Sequence, residues 1–178
     1  MPFYVLQSEA DNHAVREAAC ACIAELATKV GTDPVKGHVP DLIRGLIVCF
    51  EDDSWPVRDA ACNACGSFVA AFADECKDYL ERLMPLFYTN LEDNIPSVRH
   101  GAAIAITRVV KVFPDLLPPV LERVGELLEA VKDQEDDSEL FSGISKKPAV
   151  FGVAMADDPK HTNQVLPCLY CLQLAYFS

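Results

Sequence analysis

The stretch Asp52-Asp53-Ser54-Trp55-Pro56-Val57-Arg58-Asp59-Ala60-Ala61 decides how this chain folds. Two acids and a serine precede a proline, and a run of small residues follows. That order marks the start of a helix, since proline lacks an N–H that the first turn leaves unpaired anyway. Weaker copies stand on either side: Val15-Arg16-Glu17-Ala18-Ala19 before it and Val98-Arg99-His100-Gly101-Ala102-Ala103 after it. The three arginines lie 42 and 41 residues apart. A period of that length is the signature of a helical repeat array.

Each copy opens a helix lined with small residues: Ala18, Ala19, Cys20 and Cys22; then Ala60, Ala61, Cys62, Ala64 and Cys65; then Ala102, Ala103 and Ala105. Small side chains let helix axes approach to the short end of the usual ~8–10 Å. Larger apolar residues continue the same face: Ile23 and Leu26, Phe68 and Val69, Ile106 and Val109. A second helix precedes each copy. Val39, Leu42, Ile43, Leu46, Ile47 and Phe50 recur at helical spacing, as do Leu80, Leu83, Met84, Phe87 and Leu91. A third such stripe is Leu121, Val124, Leu127, Leu128 and Val131. These are helical and not strand periods.

The unit is therefore helix A, a tight turn and helix B. The array is expected over residues 1–133, with units at about 3–30, 39–73, 77–113 and a partial one at 120–133. In unit one only the tail of helix A, residues 3–9, is present, and helix B runs about Ala14–Val30. The later helices are expected at about Val39–Glu51 and Pro56–Ala73, Lys77–Leu91 and Pro96–Phe113, then Val120–Lys132. Asp53 or Ser54 is the expected N-cap of the second B helix. Pro85 should kink its A helix. Pro114, Pro118 and Pro119 read as a loop. The period then breaks: residues 134–160 read as an acidic, irregular loop and 161–178 as a very apolar C-terminal segment.

On these residues the chain resembles the HEAT repeats of the armadillo-like superfamily. Asp52 with Arg58, Asp93 with Arg99, and the prolines Pro56 and Pro96 carry the resemblance. It implies an all-α, right-handed α-α superhelix (a solenoid) of about three and a half helix pairs. It also implies an Asp–Arg ladder between neighbouring units, with Arg16 as the arginine of the first copy. That copy departs from the pattern, because Ala10 stands six residues before Arg16. Beginning mid-unit and ending off-pattern, the array reads as a fragment of a longer solenoid. Exposed solenoid ends lack polar caps, so self-association is expected.

The formal net charge is −12, and the 15 Lys and Arg are scattered. Nucleic-acid backbones and anionic membranes would be repelled, whereas a basic protein or peptide would be attracted. The N-terminus lacks a signal-peptide pattern, and no stretch is long and apolar enough to span a membrane. Eight cysteines without a secretory signal suit a reducing compartment, cytoplasmic or nuclear.

Catalytic signals are weak. Cys62-x2-Cys65 and Cys168-x2-Cys171 have zinc-ligand spacing, but the first pair sits at helix packing positions, and small core residues are the better reading. A HEAT-like di-iron hydroxylase needs His-Glu pairs; His13, His38, His100 and His161 are followed by Ala14, Val39, Gly101 and Thr162. Neither a catalytic site nor a cofactor is expected.

The resemblance places the partner face on the concave, B-helix side. Its exposed stripe comprises Glu17, Ala21 and Glu25, then Asp59, Asn63 and Ser67, then His100, Ile104 and Arg108. Trp55 in an A–B turn invites comparison with the tubulin-binding turns of TOG arrays, against a reading as a ring packed over the next unit. The expected function is a non-catalytic scaffold for protein–protein interaction. The alternative is a transport or cytoskeletal adaptor, importin-like or TOG-like.

Overall fold

The computed structural model describes residues 2–131; the expected 134–160 loop and 161–178 apolar segment lie outside them. The described residues are helical, with no strand among them. Three A–B pairs follow one another: α1 (Pro2–Gln7) with α2 (His13–Glu25), α4 (Val39–Val48) with α5 (Trp55–Ala71), and α7 (Leu80–Leu91) with α8 (Pro96–Val112). A further helix, α9 (Leu117–Val131), follows α8. Two one-turn helices, α3 (Asp33–Lys36) and α6 (Ala73–Cys76), sit in the connections between units. The molecule is an all-α HEAT-like solenoid.

The B helices form the spine. α5 packs against α2 on one side and α8 on the other, and α7 packs on α8. The small-residue runs explain the closeness. Cys20, Cys62 and Ala103, equivalent by the repeat, are all fully buried. A Cβ on Gly66 would lie 2.6 Å from the Ala105 Cα of the next B helix, so the α5–α8 contact depends on that glycine. The A-helix stripes complete the core. Val39, Leu42, Ile43, Leu46, Ile47 and Phe50 are all buried, as are Leu80, Leu83, Met84, Phe87 and Leu91. Fully burying one such side chain is worth about 1.5–3 kcal/mol. Phe50 and Phe87 meet edge-to-face across units two and three at 5.3 Å between ring centroids.

Several boundaries depart from the sequence reading. α2 gives way to a π-helical turn over Leu26–Val30, and Gly31 at φ 86° ends it in the left-handed region that glycine tolerates. α9 begins at Leu117, so Pro118 and Pro119 lie inside its first turn and not in a loop. The reason is physical: first-turn N–H groups have no intrahelical acceptor, so proline loses nothing there. Neither Asp53 nor Ser54 caps α5 by its side chain. Asp52 does so instead, its Oδ1 accepting the Ser54 amide at 2.8 Å. The connections are tied to each other as well, for Lys36 in α3 and Glu75 in α6 pair at 3.5 Å.

The inter-unit rungs and a candidate protein-binding face

The recurring Asp and Arg build rungs along the A–B turns. Arg16 Nε donates to Asp52 Oδ2 at 2.6 Å and its Nη2 to Asp52 Oδ1 at 2.8 Å. Arg58 treats Asp93 the same way, at 2.7 and 3.2 Å. Each guanidinium thus reaches the carboxylate of the following unit in a bidentate fork, a geometry that lysine cannot supply. Its remaining arm turns to main-chain carbonyls of its own unit. Arg58 Nη1 donates to Asp52 O at 2.6 Å and to Asp53 O at 3.2 Å. Arg99 Nη1 repeats this on Asp93 O and Asn94 O, at 2.7 and 3.0 Å.

This corrects the sequence reading in two ways. The side chains six residues apart, Asp52 with Arg58 and Asp93 with Arg99, are not what joins in the fork; within the unit the aspartate contributes its backbone. For the same reason the first rung tolerates Ala10. Arg16 Nη1 needs only the carbonyls of Ala10 and Asp11, at 2.8 and 3.0 Å, and any residue offers those. Each acid also holds the turn that follows it, for Asp93 Oδ1 accepts the Ile95 amide at 2.8 Å, as Asp52 accepts that of Ser54. The Arg16 guanidinium donating to it holds the Asp52 carboxyl below the usual range; burial opposes this and the Ser54 amide supports it.

The B-helix stripe behaves differently. Glu17, Asp59 and His100 each follow a rung arginine and form one row across α2, α5 and α8. Asp59 is half-buried, and burial raises its carboxyl above the ordinary value. Glu17 raises it further, while His100 and the Asn63 amide favour the charged form. Asn63 Nδ2 donates to Asp59 Oδ1 at 3.2 Å and to Asp59 O at 3.0 Å. Gly101 makes room for this pair: a Cβ there would lie 2.7 Å from Asp59 Oδ1 and 2.8 Å from Asn63 Nδ2.

The lower half of the stripe is bound up within the protein. Ser67 Oγ donates to Asn63 O at 3.0 Å, and Arg108 Nη1 reaches across from α8 to donate to Ser67 Oγ at 2.8 Å. Asn63, Ser67 and Arg108 are thus half-buried stitches between α5 and α8 more than open contact residues. Ile104 is half-buried too. Glu25 is exposed and pairs loosely with Lys29 at 3.8 Å. What faces outward is the acidic part, Glu17, Glu25 and Asp59, together with His100. Sequence spacing placed all nine residues on one stripe but gave no sign that three of them bond to one another. Only the close approach implied by Gly66 and Gly101 could have hinted at it.

Trp55 occupies the first position of α5 and is 44% exposed, so its ring is not fully covered by a neighbouring unit. Among the described residues no group of three His, Cys, Asp or Glu is placed to hold a metal ion. Cys62 and Cys65 are fully buried in α5, and burial pushes the Cys65 thiol well up. No described helix is long and apolar enough to cross a membrane.

The fold and its rungs define a class, the helical-repeat solenoids whose units of 41–42 residues are of HEAT length. Residues 11–155 match the family described as "IPO5-like, TPR repeats", and the chain belongs to that family of importin-5-like repeat proteins. The period separates these units from tetratricopeptide units of about 34 residues. No curated protein and no solved structure matches the chain significantly.

Proposed function

We propose that this chain is a non-catalytic protein-binding scaffold of the nuclear-transport kind. On this reading the stripe of α2, α5 and α8 grips a basic segment of its partner, in the cytoplasm or nucleus. One observation carries it: Glu17 and the half-buried Asp59 stand side by side on adjacent B helices, and no Lys or Arg among the described residues pairs with either. A desolvated carboxylate beside a second acid gains from an incoming cation. Importin-like repeats generally bind proteins, which supports the class of partner. Rigid helices would present the contacts, and the rungs would fix their spacing.

The test is fluorescence anisotropy with a labelled Lys/Arg-rich peptide and an uncharged peptide of equal length. Glu17→Lys combined with Glu25→Lys should weaken binding of the basic peptide at least about tenfold while leaving the melting temperature unchanged, since both side chains reach solvent. Equal binding by the native chain and the variant, or no preference for the basic peptide, sinks the proposal. The tubulin-binding alternative rests on Trp55, and Trp55→Ala together with a tubulin pelleting assay separates it.

A further inference from the structure

The cysteines of the described array are mostly inert packing residues, but two of them, from different units, meet. Cys20 lies on α2 in unit one and Cys49 in the turn that ends α4 in unit two. Their side chains hydrogen-bond each other, and Cys49 Sγ also donates to the Ser8 carbonyl at 3.5 Å. Both are buried, at 0% and 1% exposure. The pair adjoins the first rung, within electrostatic range of Asp52, with Arg16 close to Cys49.

We infer that Cys20 and Cys49 are a dithiol that closes into a disulfide between the first two units when the chain meets a small-molecule disulfide such as oxidised glutathione. The two thiols divide the work. Cys49 is held below the usual thiol range because it accepts from Cys20, with Arg16 helping and burial opposing. Cys20 is pushed the other way because it donates to Cys49 and is buried. Cys49 is therefore the attacking sulfur. Its thiolate displaces one glutathione thiolate and forms a mixed disulfide. Cys20 then attacks the Cys49 sulfur, gives its proton to solvent and displaces the second glutathione thiolate. Two protein thiols are oxidised to one disulfide, and one glutathione disulfide is reduced to two thiols.

Access comes from α1. This helix has six residues, packs on α2 and α4, and keeps Phe3 and Leu6 64% exposed. So short a helix opens at small free-energy cost, and Ser8, which covers Cys49, moves with it. A disulfide needs its sulfurs at about 2.05 Å, nearer than a thiol hydrogen bond holds them, so closure draws α2 and the end of α4 together at the rung. In a reducing compartment such a link is transient, as sensing disulfides are.

The experiment uses the full chain carrying Cys22→Ser, because Cys22 is exposed and would react regardless. The reduced protein is incubated with oxidised glutathione under native conditions and in urea below its unfolding transition. It is then blocked with N-ethylmaleimide, digested and mapped by mass spectrometry. The expected product is a Cys20–Cys49 linked peptide about 2 Da lighter than its two reduced parts, with a raised melting temperature. Cys20→Ser should trap glutathione on Cys49 several-fold faster than Cys49→Ser traps it on Cys20. Recovery of both cysteines as blocked thiols under both conditions overturns the inference. So does glutathione on each without the cross-link.

Discussion

The A–B turns and the B-helix stripe draw on the same residue types in the same repeat and put them to opposite uses. At the turns, Asp52, Arg58 and Asp93 sit in bidentate pairs with every arm occupied. On the stripe, Glu17 and Asp59 stand together without such a partner, one residue after a rung arginine. Charge in this solenoid is thus sorted by register. Acids in the turn hold units together; acids one step along helix B remain for another molecule.

The largest effect that would break this contrast belongs to the turns. Asp93→Ala removes both acceptors of the Arg58 fork and the cap on the Ile95 amide, from a site where Asp93 is only 9% exposed. It should cost about 2–4 kcal/mol in urea unfolding. A loss below about 1 kcal/mol would show that the rung is ornamental.

Next comes the spine. Gly66→Ala places a methyl group against the Ala105 backbone, which a side-chain rotation cannot relieve. Overpacking should cost about 1–3 kcal/mol, against the ~1 kcal/mol that alanine gains over glycine in a helix. A more stable variant would mean that α5 and α8 separate freely.

The acid response should divide the two regions by sign. Asp52 is held below its ordinary value of 3.8, so the native state binds that proton less tightly than the unfolded chain does. Its stability is present above pH 3.8 and is lost as the pH falls through the lowered value. Asp59 is raised, so its contribution is present below pH 3.8 and is lost as the pH rises through the raised value. Urea midpoints measured across acidic pH should therefore lose one slope in Asp52→Asn and the opposite slope in Asp59→Asn. Slopes of the same sign would place the two acids in one class.

The smallest effect is expected at Trp55. With 44% of its surface exposed, Trp55→Ala should shift stability by no more than about 0.5–1 kcal/mol, read from the same urea curves. A larger loss would make the ring a packing element of the turn.

Much of this was legible from residue spacing. The 41–42 residue period, the A-helix stripes and the small-residue B helices required no coordinates, because burial imposes them on the sequence directly. What spacing could not show is which arginine meets which aspartate. Asp52 and Arg58 are close in sequence, but the fork of Arg58 closes on Asp93, 35 residues away. Nor could it show that Arg108 is engaged by Ser67, or that Cys20 meets Cys49. Such contacts arise when units stack, and the local pattern is the same with or without them. Pro118 and Pro119 misled for a simpler reason: proline opens a helix as readily as it ends one.

Whether the repeated charges are committed between units can be read from a double-mutant cycle. Arg58→Ala and Asp93→Ala, singly and together, give the coupling between units; Arg58→Ala with Asp52→Ala gives the coupling within the unit. The expected values are more than about 1 kcal/mol for Arg58 with Asp93 and less than about 0.5 kcal/mol for Arg58 with Asp52, because alanine keeps the carbonyl that Arg58 uses there. Equal couplings, or the reverse order, would contradict the view that the turn charges join neighbouring units and that Glu17 and Asp59 are left to bind.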